Sequence, residues 1–201
     1  MIKKHVIHCD FLKRNFVPVF IIIVNSFSWY FPLYFFFHDA IAKSQDSSVL
    51  LAAFSIHYIG AIMSAVVGTV LVGKFLSRKK FLLLWMLIGV IASATLVTLD
   101  VTNIIYLMSI SFFLGVSLGL GFPSGLAYFG DHSKEENRGK LGGITFFASG
   151  ISMLTIGLLV GLSTFVIGVV IFTLWRGVGL ILFYIIEPKR QQEQSQTDVP
   201  Y

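Results

Sequence analysis

Six stretches of this chain run for roughly twenty residues each almost without a charge, and that pattern restricts the fold more than any other feature. A hydrocarbon core about 30 Å thick is crossed by about 20 helical residues at a rise near 1.5 Å each. The stretches cover residues 16–37, 49–73, 81–99, 104–130, 141–161 and 164–186. They are continuously apolar and lack the alternation of a membrane barrel, so helices are expected rather than strands. Composition agrees, because a chain that is 56% hydrophobic and 12% charged has too little polar surface to cover a soluble globule. The chain reads as an all-α membrane protein whose first partner is the lipid bilayer. With a single cysteine, Cys9, a disulfide scaffold is excluded.

The formal charge of +5 could suggest nucleic acid, but the basic residues fall in small clusters between apolar runs and form no continuous stripe. Their placement is topological instead. Lys3, Lys4, Lys13 and Arg14 precede the first span; Lys74, Arg78, Lys79 and Lys80 join spans two and three. Lys134, Arg138 and Lys140 join spans four and five, and Lys189 and Arg190 follow span six. With six spans, all of these lie on one side, and the positive-inside tendency makes that side cytoplasmic. The opposite side carries Lys43 with Asp39, Asp46 and Asp100. The expectation is a multi-pass protein of the cell membrane with both termini cytoplasmic, and the short loops suggest a prokaryotic plasma membrane. It divides into a leader (1–15), a six-helix bundle (16–187) and a polar tail (188–201) expected to be disordered. The first span is longer than a signal-peptide core and has no small-residue cleavage site after it, so it is expected to be retained.

Around spans four and five stands Gly115-Val-Ser-Leu-Gly119-Leu-Gly121-Phe-Pro123-Ser-Gly125-Leu-Ala-Tyr128, then Glu135-Glu136-Asn137-Arg138-Gly139-Lys140-Leu-Gly142-Gly143. A Gly-rich helix, an acidic pair and an Arg-Gly step into a second Gly-rich helix resembles the major facilitator superfamily of secondary transporters. The segment Gly73-Lys74-Phe-Leu-Ser77-Arg78-Lys79-Lys80 is similar to that family's loop between spans two and three. Arg78-Lys79 matches it, whereas the loop's acidic residue is missing and Ser77 replaces a glycine. The resemblance implies the amino-terminal six-helix half of a fold built from two six-helix repeats. It also implies a small solute, moved by alternating access against a second half or a second copy of the chain. Spans one, two, four and five would border the cavity.

Polar groups inside hydrocarbon are costly unless satisfied, which singles out a short set of residues. Asn25 lies mid-span with Trp29 one turn on, as a cavity wall or as an interhelical hydrogen bond. His57, Gly60, Ser64 and Gly68 share a face of span two, and His57 is a candidate for proton coupling or for a helix contact. Ser117, Ser124 and Tyr128 share a face of span four; Thr145, Ser149 and Ser152 lie in span five. Asn25, Trp29, His57, Ser117, Ser124 and Tyr128 are the expected cavity lining. Gly73, Arg78, Lys79, Arg138 and Gly139 are the loop-motif residues. Small residues at four-residue spacing (Gly60/Ser64/Gly68, Gly115/Gly119 and Gly157/Gly161) suit close helix packing, or sliding surfaces for alternating access.

Arg176 stands near mid-membrane with no acid inside any span to pair with it. Snorkelling to the cytoplasmic face, a partner's carboxylate and an anionic ligand are the competing explanations, with the first two favoured. The sequence offers no metalloprotease, nucleophile-elbow or phosphate-loop motif, so no enzymatic activity, metal or cofactor is expected. His5 and His8 lack further ligands. The rival to transport is a non-transporting membrane protein, a relic or an accessory subunit that binds another membrane protein.

Overall fold

The computed structural model describes residues 2–72, 77–133 and 135–186, with side chains from residue 16 onward. Gly73, Lys74, Lys134 and the polar tail lie outside the described residues. The helices are α1 (Ile2–Ala42), α2 (Ser47–Leu71), α3 (Arg78–Thr95), α4 (Ile104–Gly119), α5 (Phe122–His132), α6 (Glu135–Gly161) and α7 (Phe165–Ile186), with one 3-10 turn (Leu96–Thr98) extending α3. Among the described residues there is no strand element, and the fold is all-α.

Six segments are long and apolar enough to cross a bilayer: Phe16–Ala42, Ser47–Leu71, Arg78–Thr98, Ile104–His132, Glu135–Gly161 and Phe165–Ile186. The helix ends follow local chemistry. Asn103 caps α4 by accepting the Tyr106 amide at 3.1 Å. Glu135 and Glu136 sit in the first turn of α6, where the helix dipole favours negative charge. Arg138 reaches back to the end of α5, donating from Nη2 to the Gly130 and Ser133 carbonyls at 3.2 and 3.3 Å.

The fourth span is two helices rather than one. Pro123 lacks an amide hydrogen and its ring crowds the preceding turn, so the chain turns at Leu120 and Gly121 and restarts as α5. The gap is filled from α3: a Cβ at Gly121 would overlap the Trp85 ring. The Trp85 indole donates to the Ser117 carbonyl, in the last turn of α4, at 2.6 Å.

Glycine also sets the contact between α2 and α4. A Cβ at Gly115 or Gly119 would overlap the His57 or Ala61 carbonyl oxygen, and one at Gly60 would lie 2.6 Å from the Phe112 carbonyl oxygen. Close packing at these positions is therefore what the structure shows. Gly157 and Gly161 differ: their missing side chains face open space, as do those of Gly139, Gly143 and Gly150. At 3.6 residues per turn these five fall within about 40° of arc on one exposed face of α6.

α1 is the most buried span and forms the middle of the bundle, touching α2, α5, α6 and α7, while α3 packs on α7. One apolar cluster includes Trp29, Leu33, Phe37, Leu96, Leu114 and Phe172; a second includes Val19, Ile22, Trp85, Met86, Tyr128 and Phe183.

Candidate functional site

Between the two clusters, α1, α3 and α7 enclose a charge. Arg176 is the twelfth residue of the 22-residue α7, so it lies roughly 16 Å from either end at 1.5 Å per residue. Its exposure is 0%, which overturns snorkelling: the side chain points into the bundle instead of climbing to a membrane face. The guanidinium carbon lies 4.6 Å from the Trp29 ring centroid and 4.7 Å from that of Trp85. Both rings offer a negative face to the cation, an attraction that strengthens when water is excluded. Nη1 donates to Asn25 Oδ1 at 3.0 Å and to Ser26 Oγ at 2.8 Å.

Each of those groups is itself fixed. Asn25 Nδ2 donates to the Trp175 carbonyl at 2.8 Å, and the Ser26 hydroxyl donates to the Ile22 carbonyl at 2.5 Å, leaving its lone pairs for the arginine. The Trp29 indole donates to Ser93 Oγ at 2.7 Å, and the Trp175 indole to Ser28 Oγ at 3.0 Å. Two glycines make room. A Cβ at Gly89 would lie 2.7 Å from Arg176 Nε, and one at Gly179 would overlap the Asn25 amide.

A second buried polar group joins α1 to α2. His57 is fully buried, and its Nε2 is hydrogen-bonded to the Tyr30 hydroxyl. Beside it the His38 ring lies parallel to Phe54 with centroids 3.8 Å apart, and the hydroxyls of Tyr34 and Tyr58 meet at 3.1 Å. No cluster of three or more metal-ligating side chains occurs among the described residues.

The residues expected to line a cavity are thus all buried within the bundle. Asn25 and Trp29 come together at Arg176, and Ser117 is tied to the same cage through Trp85. Ser124 and Tyr128 lie on α5 nearby, with Tyr128 against His132 at 4.0 Å and Phe183 at 5.9 Å. His57 stands apart with Tyr30. Sequence reasoning missed Ser26, Trp85, Gly89 and Gly179. Trp85, Gly89 and Ser93 share a helix face by spacing, a signal that could have marked α3 as a partner.

At the opposite end of the bundle from Asn103, Arg78, Lys79, Arg138 and Gly139 form a polar rim. Arg78 pairs with Asp131 at the end of α5, so the acid absent from the loop is supplied by another helix. Lys79 is half-buried in the first turn of α3, and Gly139 is exposed. Between α1 and α6 runs an apolar groove of about 590 Å³, lined by Phe31, Phe35, Leu154, Gly157 and Gly161 among others. It lies within the size range of small-molecule sites.

Six apolar spans, polar groups held at mid-depth and glycine-faced contacts make this an integral membrane helix bundle. The sequence profile of the Major Facilitator Superfamily matches residues 18–199, nearly the whole chain, and the chain belongs to that family. Neither a curated protein nor a solved structure matches it.

Proposed function

We propose that this chain is one six-helix half of a secondary transporter that moves a small solute across a cell membrane by rocking against a second six-helix unit. In the simplest arrangement that unit is another copy of the chain. The observation that carries this reading is the exposed α6 face of Gly139, Gly143, Gly150, Gly157 and Gly161. The glycines of α2 and α4 are filled by the facing helix, whereas a Cβ at any of these five α6 glycines would meet nothing within 4 Å among the described residues. Glycine in a membrane helix favours close approach of a second helix, since no hydrophobic effect drives association there. In this reading both termini are cytoplasmic, and the solute passes between the units. Asn25, Trp29, His57, Ser117, Ser124 and Tyr128 stand on or behind the wall it meets.

The test is cross-linking in native membranes, in a background with Cys9 replaced by Ser. Gly150→Cys and Gly157→Cys are expected to form disulfide-linked dimers under mild oxidation, while Leu174→Cys on α7 is not. Light scattering of the detergent-solubilised protein is expected to give twice the 22.4 kDa chain mass. A monomer at every concentration, without cross-links, would exclude the homodimer. Transport in native membranes would then have to come from a pairing with a different unit.

A further inference from the structure

The Arg176 guanidinium carries five N–H donors in a planar fork. Both of its hydrogen bonds come from Nη1. Nε and Nη2 are fully buried and have no hydrogen-bond partner among the described residues. These two nitrogens form one edge of the fork, the edge that can receive both oxygens of a carboxylate in parallel. The charge is as incompletely answered as the donors. Every acidic side chain that the structure describes (Asp39, Asp46, Asp100, Asp131, Glu135 and Glu136) is exposed, and none reaches Arg176. Asn25 and Ser26 are neutral, and the two tryptophan faces compensate a cation without accepting a hydrogen bond from its in-plane donors.

We infer that Arg176 is a binding site for an organic monoanion, whose carboxylate docks on the Nε–Nη2 edge between Trp29 and Trp85. Water would satisfy the donors but leave the charge, whereas a carboxylate answers both at once. A single cation among neutral groups selects one negative charge over two, because a second would be buried without a partner. The flanking tryptophans favour a small apolar body on the anion.

A void of about 10 Å³, the size of one water, is lined by Ser26, Trp29, Trp85, Phe31 and Phe122 among others; it borders the residues that hold Arg176 and not Arg176 itself. Phe31 is 39% exposed, so the void lies between the cage and a ring at the bundle surface. It is too small for a carboxylate in this conformation. Entry would require the aromatic side chains around it, Phe31 and Phe122 among them, to rotate.

For transport this inference rests on the function proposed above and names its class of solute; the binding itself is tested separately. Purified protein in detergent is titrated with sodium acetate, and in parallel with sodium chloride, at constant ionic strength. The readouts are tryptophan emission, which reports on Trp29 and Trp85, and unfolding temperature. Acetate is expected to give a saturable change and to raise the unfolding temperature, with chloride at least tenfold weaker. Arg176→Gln is expected to abolish saturation. Should that variant fail to fold, Arg176→Lys keeps the charge without the fork and is expected to bind acetate at least tenfold more weakly. An unsaturable acetate response, or equal affinity in the Arg176 variants, would overturn the site; equal response to chloride would overturn the carboxylate assignment. Acetate binding without uptake by vesicles would refute the transport reading alone, and uptake of a neutral solute without acetate binding would refute this inference alone.

Discussion

Replacing Asn25 by Ala tests whether the buried charge is held by the contacts described. The change removes the Asn25 Oδ1 acceptor 3.0 Å from Arg176 Nη1 and the donor to the Trp175 carbonyl. A hydrogen bond to a charged group contributes about 1.5–3 kcal/mol, and breaking a buried charged contact from one side costs about 3–5 kcal/mol. The Asn25 amide also packs directly on Gly179, so its loss leaves a gap that glycine cannot fill. A destabilisation of about 3 kcal/mol is expected. Arg176→Met is the informative counterpart, since it removes the charge while keeping an unbranched apolar chain that ends about where Nε lies. It loses the tryptophan contacts but no longer buries a cation, so a cost of about 1–2 kcal/mol is expected. In the double variant the alanine no longer strands a charge. The two effects should then fall short of additivity by about 1.5 kcal/mol or more, within the range seen for contacting residues. The assay is reversible unfolding in mixed detergent micelles followed by tryptophan emission, with wild type, both singles and the double forming one cycle. Additivity within about 0.5 kcal/mol would refute the claim that Asn25 acts through Arg176.

Three further outcomes follow from the structure. Gly119→Val should separate α2 from α4 and cost at least about 3 kcal/mol, as overpacking against backbone does at its upper end, whereas Gly177→Ala on α7, where a Cβ meets nothing within 4 Å, should be neutral or stabilising by up to about 1 kcal/mol; both are read in the same unfolding assay. Arg78→Ala or Asp131→Ala should each change stability by less than about 1 kcal/mol, because the pair is partly exposed, and exchanging the two charges should restore whatever activity either single change loses. The Asp100 carboxyl is held below its ordinary value, first by the Thr102 hydroxyl at 2.6 Å and also by the Thr102 amide at 2.9 Å. Whatever stability this lends is present above the ordinary carboxylate range and lost as pH falls through the lowered value, and Thr102→Val should raise the Asp100 titration midpoint measured by NMR.

The spans were legible because a bilayer demands long apolar runs, and a close-packing face on α2 and on α4 because small residues recur there every fourth position, though not that these two faces meet each other. Pro123 stands at the break in span four, but the filling of that break by Trp85 was not legible, since the contact joins residues with no local pattern in common. Arg176 was legible as an anomaly but not as a solution. Looking for its counterpart meant looking for a carboxylate, and the partners proved to be Asn25, Ser26 and two tryptophans. Asn25 and Ser26 lie some 150 positions earlier and are neutral. Likewise the acid for Arg78 was sought within its own loop, and Asp131 lies more than 50 positions on. Interhelical partners of this kind depend on which helices become neighbours, and a single sequence does not encode that locally.

The α2–α4 seam behaves differently from an ordinary helix contact as the temperature rises. Its tightest approaches, at Gly68, Gly115 and Gly119, set the helix axes where backbone meets backbone. Glycine has no rotamer freedom to surrender, so closing the seam there costs almost no side-chain entropy, and warming gains correspondingly little by opening it. Variation at those three positions is also one-sided, because every replacement is larger. The two helices are therefore set to travel as a single stiff plate, and any looseness that evolution grants this bundle has to be found elsewhere.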